Sequence, residues 1–174
     1  MTTNTLPEWD EKRIRELVCK YLVGDLRHVI TCPNLHCFGW ESDIVSLTAS
    51  LVVHEIEIKC CRSDYLREFR SSTPGTKTFR RKCYDGTKPQ WERANYFWFA
   101  VAPGVLNTVD EVPEWAGVLL MDDSSRGINL ARPAPKHFPP RLKRERVRDY
   151  CMRGLNFRTW APTNHTSTGG KNYE

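Results

Sequence analysis

Asp43, Glu55, Glu57 and Lys59 stand close together in the chain. Carboxylates with a nearby ammonium are the groups that metal-dependent phosphodiester cleavage requires. Hard divalent cations prefer oxygen ligands, and an ammonium offsets charge that builds on a phosphate. With the two-residue period of a strand, Leu51, Val53, Glu55, Glu57 and Lys59 share one face, while Val52, His54, Ile56 and Ile58 share the other. The first face changes from apolar to charged partway along. Charges at the end of an otherwise buried strand must be paired, metal-bound or solvated, because an isolated buried carboxylate is costly. The competing reading is a charged sheet edge in which Glu55, Glu57 and Lys59 form cross-strand ion pairs and discourage aggregation. An edge device has no need of an aspartate opposite the glutamate, since like charges repel, whereas a bound divalent cation removes that repulsion.

The elements that must position these groups follow from pattern. Asp43 to Leu47 and Leu51 to Ile58 alternate and are rich in strand-forming residues, and Thr48-Ala49-Ser50 between them is short and polar. A hairpin results, with Asp43 facing the stretch from Glu57 to Lys59. Its register is not fixed by pattern alone, because a one-residue slip exchanges the faces. Ile14, Leu17, Val18, Tyr21 and Leu22 recur at helical spacing and predict a first helix over residues 9 to 23, with a strand at 27 to 32 after it. Ser63 is placed to cap a second helix, Asp64 to Arg70, whose first turn Asp64 complements. Ala94 to Ala102 reads as a buried central strand and Ala116 to Met121 as another. Residues 71 to 93 carry turn signals at Pro74-Gly75 and Asp85-Gly86 and read as a long loop near substrate. The order is that of an α/β protein, a mixed central sheet flanked by helices.

Asp43 followed by Glu57-Ile58-Lys59 on the next strand resembles the signature of the PD-(D/E)XK nuclease superfamily. The stretch from Glu55 to Tyr65, with Ala94 to Pro103 and Val112 to Leu120, resembles the MmcB-like DNA-repair group within it; the likeness spans roughly residues 40 to 121. The resemblance implies a restriction-endonuclease-like core and a Mg²⁺- or Mn²⁺-dependent DNA endonuclease or repair nuclease. Asp43, Glu57 and the backbone carbonyl of Ile58 would hold the metal, and Lys59 would orient the attacking water. Glu55 is extra to this pattern: a further ligand, an acid behind the ligands, or the partner that sets the charge state of Lys59. Nucleases of this superfamily often supply an acid from the first helix, which makes Glu16 a candidate against the plainer reading of a solvated helix glutamate. The alternative function is a catalytically weak nucleic-acid-binding or protein-interaction module that keeps the fold.

Basic residues are unevenly placed in a chain of formal charge +5. Lys77, Arg80, Arg81, Lys82 and Lys88 form one cluster, and Arg144, Arg146 and Arg148 lie in a basic helix expected over 141 to 153. With Arg62 they are candidates to neutralise DNA phosphates, against the reading of solvated charged faces. A twofold homodimer is one way to cut both strands. The 174 residues, 40% of them hydrophobic, suit one domain over 1 to 160 with a polar, disordered tail at 161 to 174. No apolar run is long enough to span a membrane, and Met1 to Leu6 lacks the basic and apolar regions of a secretory signal, so a cytoplasmic location is the expectation.

Seven cysteines without such a signal argue for reduced thiols. Cys32, His36 and Cys37 are spaced as zinc ligands, with Cys60, Cys61 or Cys83 to complete a site, and imply a zinc-stabilised interaction domain as a third class. A Cys32–Cys37 disulfide and plain buried thiols are the other readings.

Overall fold

The computed structural model describes residues 9–38, 40–70, 93–122 and 127–137, together with Tyr84, Asp149 and Met152. The basic candidates Lys77, Arg80, Arg81, Lys82, Lys88, Arg144, Arg146 and Arg148 lie outside the described residues, as do Cys83 and the expected tail.

Helix α1 spans Glu11–Gly24. Asp10 starts it by accepting the Arg13 amide at 2.7 Å, which satisfies one of the donors a helix start leaves free. Ile14, Val18 and Leu22, at spacings of four, are its buried stripe. Strands β1 (Ile30–Cys37), β2 (Trp40–Leu47) and β3 (Val53–Lys59) form an antiparallel meander. Between β2 and β3 the chain turns at Thr48, whose amide donates to Val52 O and whose carbonyl accepts from Leu51, with Leu51 at φ 61°. Helix α2 (Arg62–Arg70) then carries the chain to β4 (Tyr96–Val101), which runs parallel to β3. A connection with a single 3-10 turn at Val109–Glu111 leads to β5 (Gly117–Met121), parallel to β4, and β6 (Ile128–Arg132) closes the sheet antiparallel to β5. The six strands lie in sequence order.

The architecture is therefore the expected α/β one, a mixed central sheet flanked by helices. Parallel strands need crossover connections, and such crossovers are overwhelmingly right-handed. Helix α2 and the 102–116 connection accordingly cover the same sheet face: Tyr65 packs edge-on against Phe99, and its hydroxyl donates to Glu111 O at 2.9 Å. Phe97, Phe99, Trp115 and Tyr84 make the aromatic core of that face. Helix α1 packs across the other face.

Three sequence expectations need correction. The predicted strand at 27–32 begins later and runs on to Cys37. Helix α2 starts at Arg62, so Ser63 is within it rather than capping it, and its hydroxyl meets the Cys61 thiol at 3.2 Å. Strand β6 was not expected from a short segment that is half-exposed at the sheet edge.

Candidate active site

The hairpin that carries the acids has an irregularity at the point where it matters. The β1–β2 pairing passes over Asn34 and Asp43, between Pro33↔Ile44 and Leu35↔Ser42, without a change of register, and Asn34 has φ 49°. The β2–β3 pairing starts at Ile44↔Ile56. Asp43 thus sits where β2 leaves β3, and its carboxylate takes over the role of a backbone acceptor: Oδ2 accepts the Ile58 amide at 2.6 Å. In a strand the N–H and C=O of one residue point to the same neighbour. The Ile58 carbonyl therefore opens onto the same gap as Asp43, while that of the next residue, Lys59, turns to the other side and accepts from Ala102 at 3.0 Å.

Glu57 and Lys59 project together from β3 toward α2. Lys59 Nζ is 2.9 Å from Glu57 Oε1, 3.1 Å from Glu68 Oε2 and 3.6 Å from Asp64 Oδ2. Burial by itself would lower the Lys59 pKa, but the three carboxylates outweigh it and hold it above the ordinary lysine value. Lys59 is a fixed cation at neutral pH. Asp43 behaves in the opposite sense. Burial first, and then the negative field of Glu57, raise its pKa to about 7, against the opposing effects of the Ile58 amide and Lys59. The charge of Glu57 thus disfavours ionisation of the neighbouring Asp43.

The sequence candidates separate on this geometry. Asp43, Glu57, Ile58 and Lys59 come together. Glu55 does not join them, although it shares the face by alternation. It is fully buried and accepts from Trp40 Nε1 at 2.6 Å, Ser42 Oγ at 2.8 Å and the Tyr84 hydroxyl at 2.5 Å. These donors engage both of its oxygens, so Glu55 ties β2, β3 and Tyr84 together instead of joining Asp43, Glu57 and Lys59. The acids that face Lys59 are Glu68 and Asp64, one helical turn apart on α2. That spacing, just downstream of the lysine, is the signal that sequence reasoning passed over.

Glu16 is exposed on α1, and the α1 acid whose charge reaches Asp43 is Glu11, which is ion-paired to Arg15. Arg62 pairs with Glu111 and donates to Val105 O at 3.1 Å, both through Nη1, pinning the 102–112 connection to α2. Its side chain stays 36% exposed, so part of the guanidinium faces solvent.

The zinc reading fails on strand geometry. Cys32, His36 and Cys37 lie along β1, with both cysteines buried and His36 exposed. Five residues of strand span roughly 16 Å, too far for Cys32 and Cys37 to share a tetrahedral ion or a disulfide. Neither is in a disulfide, nor are Cys19, Cys60 and Cys61. Among the described residues, no group of three or more His, Cys, Asp or Glu side chains is placed to hold a metal. The Asp43 site offers two carboxylates and a carbonyl instead, a set that suits Mg²⁺, which keeps several waters and is commonly bound through one or two carboxylates.

No helix among the described residues is long and apolar enough to cross a membrane. No protein-family model and no curated protein matches the chain. Among solved structures it is similar to the SPO1766 protein of unknown function from Silicibacter pomeroyi, at 15% identity and a TM-score of 0.56, over 88% of this chain and 89% of that one. A likeness at that identity concerns the fold, and it extends over nearly the whole of both chains.

Proposed function

We propose that the chain is a divalent-metal-dependent nuclease that hydrolyses phosphodiester bonds in DNA. The observation that carries this reading is the position of Asp43 at the divergence of β2 and β3. Its carboxylate bonds the Ile58 amide there at 2.6 Å, beside Glu57 and Lys59. The order of α1, three antiparallel strands, α2 and a parallel β4 supports it, since this is the arrangement expected of a restriction-endonuclease-like core.

In this reading Asp43, Glu57 and the Ile58 carbonyl hold Mg²⁺ or Mn²⁺. When bound, the ion supplies Lewis-acid polarisation of a phosphoryl oxygen and lowers the pKa of a water. The mutual repulsion of Asp43 and Glu57 gives these residues their affinity for a cation. Lys59, kept protonated by Glu57, Glu68 and Asp64, is unsuited to act as a general base. Its role is to orient the attacking water and to offset charge on the phosphate. Glu68 and Asp64 position Nζ. Incubating the purified protein with supercoiled, linear, single-stranded and branched DNA tests the reading, in Mg²⁺ or Mn²⁺ and in chelator. Metal-dependent cleavage that is lost in Asp43→Ala and Lys59→Ala is expected. DNA binding without cleavage of any substrate would instead support a binding module that keeps the fold.

A further inference from the structure

On the sheet face opposite Glu57 and Lys59, beside the C-terminal end of α1, lies a cavity of about 470 Å³. Its size is that of a small-molecule site. Leu22, Ile56 and Leu130 supply apolar wall, and among the described residues no Asp, Glu, Lys or Arg lines it. Aromatic rings form much of the rest. The His54 ring stacks on Tyr96 at 4.7 Å between centroids and lies within 6° of parallel to the Trp98 ring.

The two imidazoles of the cavity have fixed hydrogen-bonding roles. The Trp98 indole, which is a donor only, donates to His54 Nδ1 at 3.2 Å. His54 therefore carries its proton on Nε2. Ser46 uses its one hydroxyl proton on Ile30 O at 2.9 Å, so the 2.7 Å contact between Ser46 Oγ and His28 Nδ1 requires the imidazole to donate. His28 Nε2 is then an acceptor. The two rings meet edge-on at 4.4 Å. Among the described residues, the buried side-chain nitrogens without a partner are Arg15 Nε and Arg93 Nε, so both imidazole Nε2 atoms reach accessible space. Burial keeps both rings neutral, lowering the pKa of His28 and taking that of His54 down to about 3. A donor and an acceptor thus stand side by side in an uncharged aromatic recess.

We propose that this cavity binds a neutral, flat heterocycle that presents an acceptor beside a donor on one edge, as a lactam or an amino-substituted azine does. The Tyr96 and Trp98 rings take its face, and His54 Nε2–H and the His28 Nε2 lone pair take its edge. An anionic ligand finds no cation there. The site is separate from the Asp43 site and does not depend on its activity.

Isothermal titration of the full chain with hypoxanthine, 2-aminopurine, quinoline and inosine 5′-monophosphate tests the proposal. The first two offer the paired edge; quinoline has similar size and an acceptor alone; the nucleotide carries the hypoxanthine edge with a charged phosphate. Binding of hypoxanthine and 2-aminopurine is expected, with quinoline and the nucleotide about tenfold weaker, the effect of one lost hydrogen bond or an unpaired charge. His54→Phe should weaken hypoxanthine and quinoline alike by a similar factor, since each accepts from His54 Nε2–H. Leu130→Trp, at a half-exposed position on the cavity wall, should weaken every ligand in a protein whose melting temperature is retained, which keeps the test decisive if His54→Phe fails to fold. Absence of hypoxanthine binding at about 1 mM, quinoline binding as tightly as hypoxanthine, or Leu130→Trp binding like the parent would each overturn the proposal.

Discussion

Replacing Asp43 by asparagine should stabilise the metal-free protein at alkaline pH, although it removes a residue of the proposed active site. Asparagine keeps the shape and an oxygen to accept the Ile58 amide, so the substitution removes chiefly the charge. The sign follows from the pKa. In the fold Asp43 titrates at about 7, against 3.8 for the free side chain. The native state therefore holds a proton there that the unfolded chain has already released. Stability is fully present below the unfolded pKa, declines as pH rises through the window from about 4 to 7, and stays reduced above it. Three pKa units correspond to about 4 kcal/mol at 1.36 kcal/mol per unit. That is a ceiling, because relaxation and water entry lessen the penalty, and about 2 to 4 kcal/mol is expected.

Urea unfolding of both proteins in chelator at pH 5 and pH 8 measures the difference. Asp43→Asn should gain roughly a third as much at pH 5 as at pH 8. Excess Mg²⁺ should then close most of that gap by stabilising the parent alone, by about 2.7 kcal/mol at a hundred times Kd. An asparagine variant destabilised equally at both pH values would show that Asp43 is an ordinary structural acceptor and refute the crowding of carboxylates.

Three further outcomes follow from the same reasoning. His54, whose pKa is lowered to about 3 by burial and by His28, contributes stability that is present above pH 6.5 and lost as pH falls toward 3; in His54→Phe the loss of stability between pH 6.5 and 4 should shrink by more than about 1 kcal/mol, measured by denaturant titration across that range. Glu55→Ala leaves the Trp40, Ser42 and Tyr84 donors without their shared acceptor, and a loss of about 3 kcal/mol or more is expected by chemical unfolding; a loss below about 1 kcal/mol would contradict the structural role. Gly117→Ala would place its Cβ 2.4 Å from Trp98 Cε3 and 2.6 Å from the Ala134 amide nitrogen, so thermal unfolding should report a cost of about 1 to 3 kcal/mol with a displaced Trp98.

The hairpin was legible because strand alternation is strict: the sequence from Val53 to Lys59 places Glu57 and Lys59 on one face, and the polar turn after Leu47 returns β3 to Asp43. The buried central strands were legible from their continuous apolar composition. Other features depend on contacts that no local pattern encodes. Trp40 and Ser42 reach Glu55 beyond the point, at Asn34 and Asp43, where the β1–β2 ladder is interrupted, and Tyr84 reaches the same carboxylate from a remote segment. Glu55 therefore read as a site residue when its oxygens are engaged within the core. The pairing of Arg62 was hidden because its partner, Glu111, lies far along the chain. Cys32 and Cys37 have the spacing of a metal knuckle in a turn, but the extension of β1 through Pro33 and Asn34 draws them apart.

Cleavage of supercoiled DNA by the purified chain, compared with Asp43→Ala and Lys59→Ala in Mg²⁺, in Mn²⁺ and in chelator, tests the central claim most directly. The account predicts metal-dependent cleavage by the parent and none by either variant. Cleavage that survives in both variants, or no cleavage of any DNA by the parent, would contradict it.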